Sequence, residues 1–395
     1  DTEILLHAWE RWGEDALDRL VGQFAFAMLE RETGRVWVAR DRFGEKPLYY
    51  HHDGDAVAFA SSIPALLQAP WVPRELDPQV LPEYLTMRYV MAPRTVLRDV
   101  AKLPPGHVMR VDRGAVTTRR WYAPRFQRAR ARGRSTAALV EQFDELFTQA
   151  ARRCLVSDVP VALFLSDGID SNGIRAALVQ GGHEVPAYTF MPVPGTGSPD
   201  LGGMTANGAV EVRVPADHRV AQMVPAFSSL TEPVGDGAAL ATWLLVKGAR
   251  SRATVFLCGH GGDEILGGYR LSYDGFRLRQ LRALSLLPAA WVQGKVEKYV
   301  HGAEPFAERW RRVRQMPAIR TGDAVRHLIH RPLTAADLRM LLGEGASLDQ
   351  GLATVDRLYA ESDGEHALDR IQEVLLHTFL EANLVSWADA VAMDC

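Results

Sequence analysis

The stretch Val161–Asn172, VALFLSDGIDSN, joins an apolar run to a cluster of small and acidic residues. The run VALFL has no alternating polar positions, which is typical of a strand buried on both faces of a parallel sheet. Similar apolar strands, EVPAYTF (184–190) and ATVFLCG (253–259), alternate with helical patterns from residue 136 onward. This alternation predicts a doubly wound parallel α/β domain.

The loop that ends the first apolar strand has the composition of a phosphate site. Ser166, Gly168 and Ser171 are small, so backbone N–H groups can approach an anion, and the two serine hydroxyls can donate to phosphate oxygens. The helix expected to start near Asn172 adds its positive end. A carboxylate at Asp170 would repel a phosphate unless Mg²⁺ lies between them, so the loop predicts a phosphate site with a metal ion.

A second loop, FLCGHGGDEILGGY (256–269), follows the later strand and repeats this composition. Its glycines allow close approach of a ligand, and Asp263 offers a second hard ligand for Mg²⁺. The alternative is a pair of ordinary strand-to-helix turns with helix caps. Two such loops, each at the end of an apolar strand, favour a clamp for a nucleotide triphosphate and its metal.

The N-terminal part, residues 1–122, has a different pattern. Short β-rich runs separated by turn residues predict mostly antiparallel hairpins, with one helical stretch around QVLPEYLTMRYV (79–90). The polar, Arg-rich segment 123–135 is interpreted as a linker, because neither repeated aromatic interleaving nor a basic surface accompanies its charges, as a nucleic-acid arm would require. The predicted domains are therefore 1–122 and 136–395.

Bulk composition excludes several classes of protein. Of the 395 residues 47% are hydrophobic and 24% charged, and the net charge of -3 favours neither nucleic acid nor an anionic membrane as partner. No apolar run is long enough for a membrane span. Three scattered cysteines without metal-ligand spacing indicate a reducing compartment, so a cytoplasmic location is expected.

Several segments resemble the asparagine synthetase family. LSDGIDS (165–171) resembles the SGGxDS pyrophosphate loop of ATP pyrophosphatases, and CGHGGDEILGGY (258–269) resembles the SGxGxDExFGGY segment that marks the family. LVGQFAFAMLE (20–30) and ARDRFGEKPLYY (39–50) resemble strands of its glutaminase domain. The resemblance covers nearly the whole chain in the expected order. It implies an Ntn-type α+β glutaminase domain followed by an ATP-pyrophosphatase domain, with the chain truncated at both ends.

The resemblance implies a ligase reaction in two halves. Glutamine gives ammonia in the N-terminal domain, and the ammonia travels internally. In the C-terminal domain a carboxylate, aspartate in the type enzyme, is adenylated by ATP with Mg²⁺, and ammonia then displaces AMP. The products are asparagine, AMP, pyrophosphate and glutamate. A homodimer is left open, and neither nucleic acid nor membrane is expected as a partner.

The resemblance also implies roles for residues at matching positions. Nucleotide and pyrophosphate would be bound by Leu165, Ser166, Gly168, Asp170 and Ser171, the adenosine side would be lined by Cys258 and Gly259, and Phe190 would contact adenine. Asp170 and Asp263 would bind Mg²⁺, and His260 and Asp263 would be catalytic. Asp1 would bind the glutamine amino group.

Three positions depart from the family pattern. Asp167 replaces a glycine beside the phosphate site, Cys258 replaces a serine, and His260 replaces an acidic residue. A histidine can still move protons near neutral pH, or it can merely shape the loop. These departures, with a shortened region at 190–215, leave two alternatives: a relative that amidates or cyclises another carboxylate (sugar, peptide or β-amino acid), and a non-catalytic nucleotide-binding homologue.

Overall fold

The computed structural model describes residues 1–125, 133–197, 200–269 and 335–394. Most of the Arg-rich segment 123–135 lies outside the described residues, as does 275–334, the first part of the stretch expected to be mostly helical. The described chain is mixed α/β, with antiparallel sheets in its N-terminal part and a mostly parallel sheet in its C-terminal part. The predicted mixed α/β class is thus confirmed.

The N-terminal part consists of two antiparallel sheets with short helices. Its strands are β1 (Ala25–Glu30), β2 (Arg35–Arg40), β3 (Tyr49–His52), β4 (Val57–Ala60), β5 (Val100–Lys102), β6 (His107–Asp112) and β7 (Ala115–Arg120). They form sheets of order β1-β2-β6-β7 and β4-β3-β5. The helices are α1 (Thr2–Trp12), α2 (Ala16–Arg19), α3 (Ile63–Leu66) and α4 (Leu81–Met87), with 3₁₀ turns at Gly13–Asp15 and Pro78–Val80.

The two antiparallel sheets pack against each other. Val38 of β2 and Met109 of β6 are fully buried and contact Tyr50 of β3 and Val57 of β4. Apolar side chains of both sheets share this cluster, which explains why hairpin-like runs in the sequence fold into two layers rather than one.

The C-terminal part begins with the long helix α5. Its strands are β8 (Val161–Phe164), β9 (Ala187–Val193), β10 (Asp200–Met204), β11 (Val210–Pro215) and β12 (Val255–Leu257). Its helices are α5 (Thr136–Arg153), α6 (Ile169–Gln180), α7 (Ala216–Ala221), α8 (Met223–Ser228), α9 (Ala238–Ala249), α10 (Gly262–Leu266), α11 (Ala335–Leu342), α12 (Leu348–Glu361), α13 (Ala367–Leu375) and α14 (Ser386–Asp394), with a π-helix at Leu376–Val385.

The five strands form a sheet of order β10-β11-β9-β8-β12, parallel except for the β10–β11 pair. Alternate residues of β8 face opposite sides. Ala162 and Phe164 pack in the cluster that includes α9 and α14, whereas Leu163 packs in the cluster that includes α6. Helices therefore cover both faces of the sheet, which explains why its strands are almost continuously apolar.

Two buried ion pairs join the N-terminal and C-terminal parts. Arg40 Nη1 lies 2.9 Å from Glu381 Oε1, and Lys102 Nζ lies 2.8 Å from Glu232 Oε2, with all four side chains at most 4% exposed. Removing one member of such a pair leaves an uncompensated buried charge, so these two contacts favour the observed arrangement of the two parts.

Candidate active site

The two predicted loops lie side by side in the fold. β8 pairs with β12 in parallel, with Leu163 opposite Leu257, so the loops that follow both strands leave the same edge of the sheet. The chain runs from β8 outward to β9 and β11 on one side, and β12 lies on the other side. The loops thus flank the point where the strand order reverses, which is where open α/β sheets bind ligands.

Side-chain hydrogen bonds hold the first loop in a closed turn. The Ser166 N–H donates to Ser171 Oγ and the Gly168 N–H donates to Ser166 Oγ, both over 3.1 Å. Asn172 Nδ2 donates to the carbonyls of Ser166 and Gly168, both over 2.8 Å. The serine hydroxyls therefore shape the loop itself, and their donation to phosphate remains a prediction.

Helix α6 begins at Ile169, earlier than the sequence predicts. Gly168 is its N-cap residue, so Asp170 and Ser171 fall in the first turn rather than in the preceding loop. A carboxylate in the first turn is stabilised by the positive end of the helix dipole. Asp167, the residue that departs from the family pattern, is exposed.

The second loop packs directly against Asp170. A Cβ atom added at Gly259 would lie 2.9 Å from Asp170 Cβ, and one added at Gly262 would lie 2.6 Å from Asp170 Oδ1. Gly261, with φ +93°, has the left-handed conformation that favours glycine and turns the chain into the short helix α10. The glycines of this loop thus allow a backbone-to-side-chain contact that any larger residue would prevent.

Asp263 and Asp170 form the acidic centre of the site. Burial, and then the negative charge of Asp170, raises the pKa of the Asp263 carboxyl. A Cβ atom at Gly268 would lie 1.9 Å from Asp263 Oδ1, so Asp263, like Asp170, is seated against a glycine. Within the described ranges no three acidic, His or Cys side chains are grouped closely enough to hold a metal ion. Two carboxylates nevertheless fit Mg²⁺, which prefers one or two together with phosphate oxygens.

Cys258 and His260 interact with each other. Burial alone would raise the pKa of the Cys258 thiol, but a hydrogen bond with His260 and the charge of its imidazole lower it overall. Burial opposes protonation of His260, but the hydrogen bond with Cys258, together with the charges of Cys258, Glu264 and Asp236, raises the pKa of His260 overall. The His260 ring also packs edge-on against Trp387 of α14, with ring centroids 5.1 Å apart.

The other predicted residues lie beneath the first loop or apart from the acidic centre formed by Asp170 and Asp263. Leu165 is buried under the first loop and packs with Ile174 of α6. Phe190 lies on β9 in the cluster that covers the opposite face of the sheet. Asp1 caps α1, where its Oδ1 accepts from the Thr2 N–H over 2.8 Å. The adenine role of Phe190 and the glutamine role of Asp1 remain predictions.

The structure adds Glu264 and Trp387 to the site. Glu264 is 1% exposed and accepts a hydrogen bond from Tyr269, and burial raises the pKa of its carboxyl. Its adjacency to Asp263 was the available sequence signal. No local signal marks Trp387, because it reaches His260 from a helix far along the chain.

Comparison with known proteins identifies the family. A family model for the asparagine synthase domain matches residues 142–395, and a model for the glutamine amidotransferase domain matches residues 1–122. The chain belongs to the asparagine synthase family. Its Ntn-type and ATP-pyrophosphatase folds, and the domain boundaries predicted above, remain predictions.

Curated relatives resemble all or most of the chain. A putative glutamine-hydrolysing asparagine synthetase of Mycobacterium tuberculosis is 30% identical over 404 residues, which cover 100% of this chain and 61% of the relative. Asparagine synthetase 1 of Bacillus subtilis is 26% identical over 402 residues, covering 100% and 62%. Asparagine synthetase 2 of Arabidopsis thaliana is 27% identical over 292 residues, covering 68% and 44%. The chain thus spans about three fifths of the length of the two bacterial relatives.

Proposed function

We propose that the protein is a glutamine-dependent, ATP-consuming amide ligase of the asparagine synthetase type. The observation that carries this proposal is the contact of the two loops at Asp170, at the reversal point of the parallel sheet. Family membership and the glutamine amidotransferase match support it. The named relatives suggest aspartate as the carboxylate acceptor.

In the proposed first step, a carboxylate oxygen of the acceptor attacks the α-phosphorus of ATP. The bond from that phosphorus to the bridging oxygen breaks, and pyrophosphate leaves. Backbone N–H groups at the start of α6 face the departing negative charge, and their fixed dipoles stabilise it as it forms. Asp170 and Asp263 would hold Mg²⁺, which supplies charge neutralisation on the phosphate oxygens.

In the second step, ammonia attacks the acyl carbon, loses a proton and displaces AMP. His260 is the candidate for moving that proton, because it lies on the second loop and its imidazole hydrogen-bonds with Cys258. Its T-shaped contact with Trp387 restricts the orientation of the ring.

Ammonia would come from glutamine in the N-terminal domain, where Asp1 is the candidate for binding the glutamine amino group. Between the two parts, Glu232 Oε1 and Glu381 Oε2 are buried and have no hydrogen-bond partner among the described residues. Each glutamate is already ion-paired through its other oxygen, with Lys102 or Arg40. Free carboxylate oxygens accept N–H groups, so these two fit an internal transfer of ammonia.

None of the helices within the described ranges combines the length and apolar character that a membrane crossing requires. A cytoplasmic location is proposed from the scattered cysteines, which suit a reducing compartment. A homodimer is proposed only by family resemblance.

The test is pyrophosphate release from ATP and Mg²⁺ by the full-length protein, with ammonia supplied and aspartate present or absent. We expect release to require aspartate and to fall about 100-fold in Asp170→Asn, which removes the charge but keeps the size of the side chain. Asp158→Asn, at an exposed carboxylate in the same domain, is the matched control.

Other outcomes would redirect the proposal. Release that depends on a sugar, peptide or β-amino acid carboxylate would replace aspartate as the acceptor. Tight ATP binding without pyrophosphate release for every candidate acceptor would overturn the ligase function in favour of a nucleotide-binding homologue. Asp167, Cys258 and His260 motivate that alternative by departing from the family pattern.

A further inference from the structure

The segment 381–389 is held at both ends by cations of the N-terminal part. It comprises the last part of the π-helix and the first turn of α14. Glu381 pairs with Arg40 at 2.9 Å, and Asp389 Oδ1 pairs with Lys46 Nζ at 2.7 Å. The Asp389 side chain is 14% exposed and the Lys46 side chain 39% exposed, so this second pair is shielded from water on its carboxylate side.

The loop that carries both cations is rigid. The Asp41 carboxylate accepts from the N–H groups of Phe43, Glu45 and Lys46, over 3.1, 2.9 and 2.9 Å. The Arg40 guanidinium donates to the carbonyls of Gly44 and Lys46, both over 2.8 Å. A loop tied to its own side chains in this way loses little further entropy on contacting another element, so it is a firm support for the segment.

The same segment contacts the candidate active site from its other side. Trp387 is 1% exposed, and its ring packs edge-on against His260 of the second loop. Asn383 Nδ2 donates to Asp236 Oδ2 over 2.9 Å, which ties the segment to the loop before α9. Trp387 and Asp389 are two positions apart, or about 200° around a helix, so they project to opposite sides.

The backbone of this segment is itself unusual. Residues Leu376–Val385 form a π-helix, a conformation that usually occurs as a single turn and often near functional sites. Its wider turn changes the angular positions of the side chains that follow relative to a regular α-helix. The π-helix therefore sets which side of α14 presents Trp387 to His260 and which side presents Asp389 to Lys46.

We propose that Lys46 and Asp389 are positioning residues for the synthetase site, acting through Trp387 on His260 of the nucleotide loop. The proposal rests on the proposed function, because it takes the second loop to bind ATP. Lys46 lies in the region that matches the glutamine amidotransferase domain. Its ion pair with Asp389 nevertheless connects it to the half of the site proposed to bind ATP. A residue that served only glutamine hydrolysis would have no such effect.

The test measures ATP binding and ammonia-supported pyrophosphate release in the full-length protein, so that glutamine hydrolysis is not required. We expect Lys46→Gln to weaken ATP binding and raise the KM for ATP about three- to tenfold, with a smaller change in kcat. Lys46→Arg retains the ion pair and is expected to restore most of the affinity. Arg42→Gln is the matched control, because among the described residues the contacts of Arg42, a hydrogen bond to the Asp18 carbonyl and stacking on Trp121 and Tyr122, all lie in the N-terminal part.

A double-mutant cycle distinguishes positioning from simple adhesion between the two parts. If Lys46 acts through Trp387, the effects of Lys46→Gln and Trp387→Phe on ATP affinity are not additive, whereas those of Arg42→Gln and Trp387→Phe are. Additive effects in both cycles, or unchanged ATP affinity in Lys46→Gln, overturn the inference. Absence of pyrophosphate release in the unaltered protein would instead defeat the proposed function, and ATP binding would still test the positioning role.

Discussion

The contact between Gly259 and Asp170 gives a prediction whose size can be worked from the structure. In Gly259→Ala the added methyl would lie 2.9 Å from Asp170 Cβ and 3.3 Å from Ser171 N. Carbon atoms in ordinary contact are about 3.5 to 4.0 Å apart, so the loops must separate by about 0.6 to 1.1 Å. Gly259 is not in the left-handed region, so backbone strain adds nothing to this steric effect.

That separation acts on the site in two ways. Overpacking of a close contact costs about 1 to 3 kcal/mol, which sets the expected loss in the free energy of unfolding. A shift of about 1 Å in a positioning group can lower a rate about 100-fold. We therefore expect ATP-dependent pyrophosphate release to fall about 10- to 100-fold, with a loss of stability too small to unfold the protein.

The assay is pyrophosphate release together with equilibrium ATP binding, with urea unfolding to measure stability. Gly173→Ala, inside α6, is the matched control, because its added Cβ would lie 3.7 Å from Phe147 Cε1, an ordinary contact. Alanine in a helix interior is expected to raise stability by about 0.5 to 1 kcal/mol and to leave ATP binding unchanged. If Gly259→Ala binds ATP and releases pyrophosphate as the unaltered protein does, the idea that the two loops must touch at Asp170 is wrong.

Two further predictions concern stability. Burial, and then the charge of Arg120, lowers the pKa of His377 from 6.5 to about 4, so the unfolded chain binds a proton between these values when the folded chain does not. The contribution of His377 to the free energy of unfolding should therefore fall as the pH drops from about 6.5 to about 4, by up to about 3 kcal/mol. His377→Gln, which keeps an acceptor for Arg120, should remove that contribution, so the difference in unfolding free energy between the variant and the unaltered protein should change by this amount in urea titrations across the range. A difference that does not vary with pH would contradict the assignment. Gly351→Ala should destabilise the protein by about 1 to 3 kcal/mol, because its Cβ would overlap Thr86 where α12 meets α4. Gly203→Ala, which meets nothing within 4 Å, is its control in the same thermal or urea unfolding, and equal stability of the two variants would refute the packing argument.

Much of the fold and the main loops of the site could be predicted from local sequence. Apolar runs such as VALFL and VFL indicate buried strands, because a strand covered on both faces has no solvent-facing positions for polar residues. The shape of the first loop is also local: Ser166, Gly168, Ser171 and Asn172 hydrogen-bond among themselves within six residues. Short-range bonds of this kind depend on residue spacing, which a sequence displays directly.

The sequence alone determined the mixed α/β class, the two loops and their candidate ligands, since these depend on periodicity and neighbouring residue types. Tertiary structure decided which distant groups meet. Gly259 rests on Asp170, His260 on Trp387, and Arg40 pairs with Glu381, 341 positions further along the chain. The physical reason is that strand order and helix packing, not local spacing, bring these side chains together, and a buried charge such as Arg40 is stable only where the fold supplies its partner.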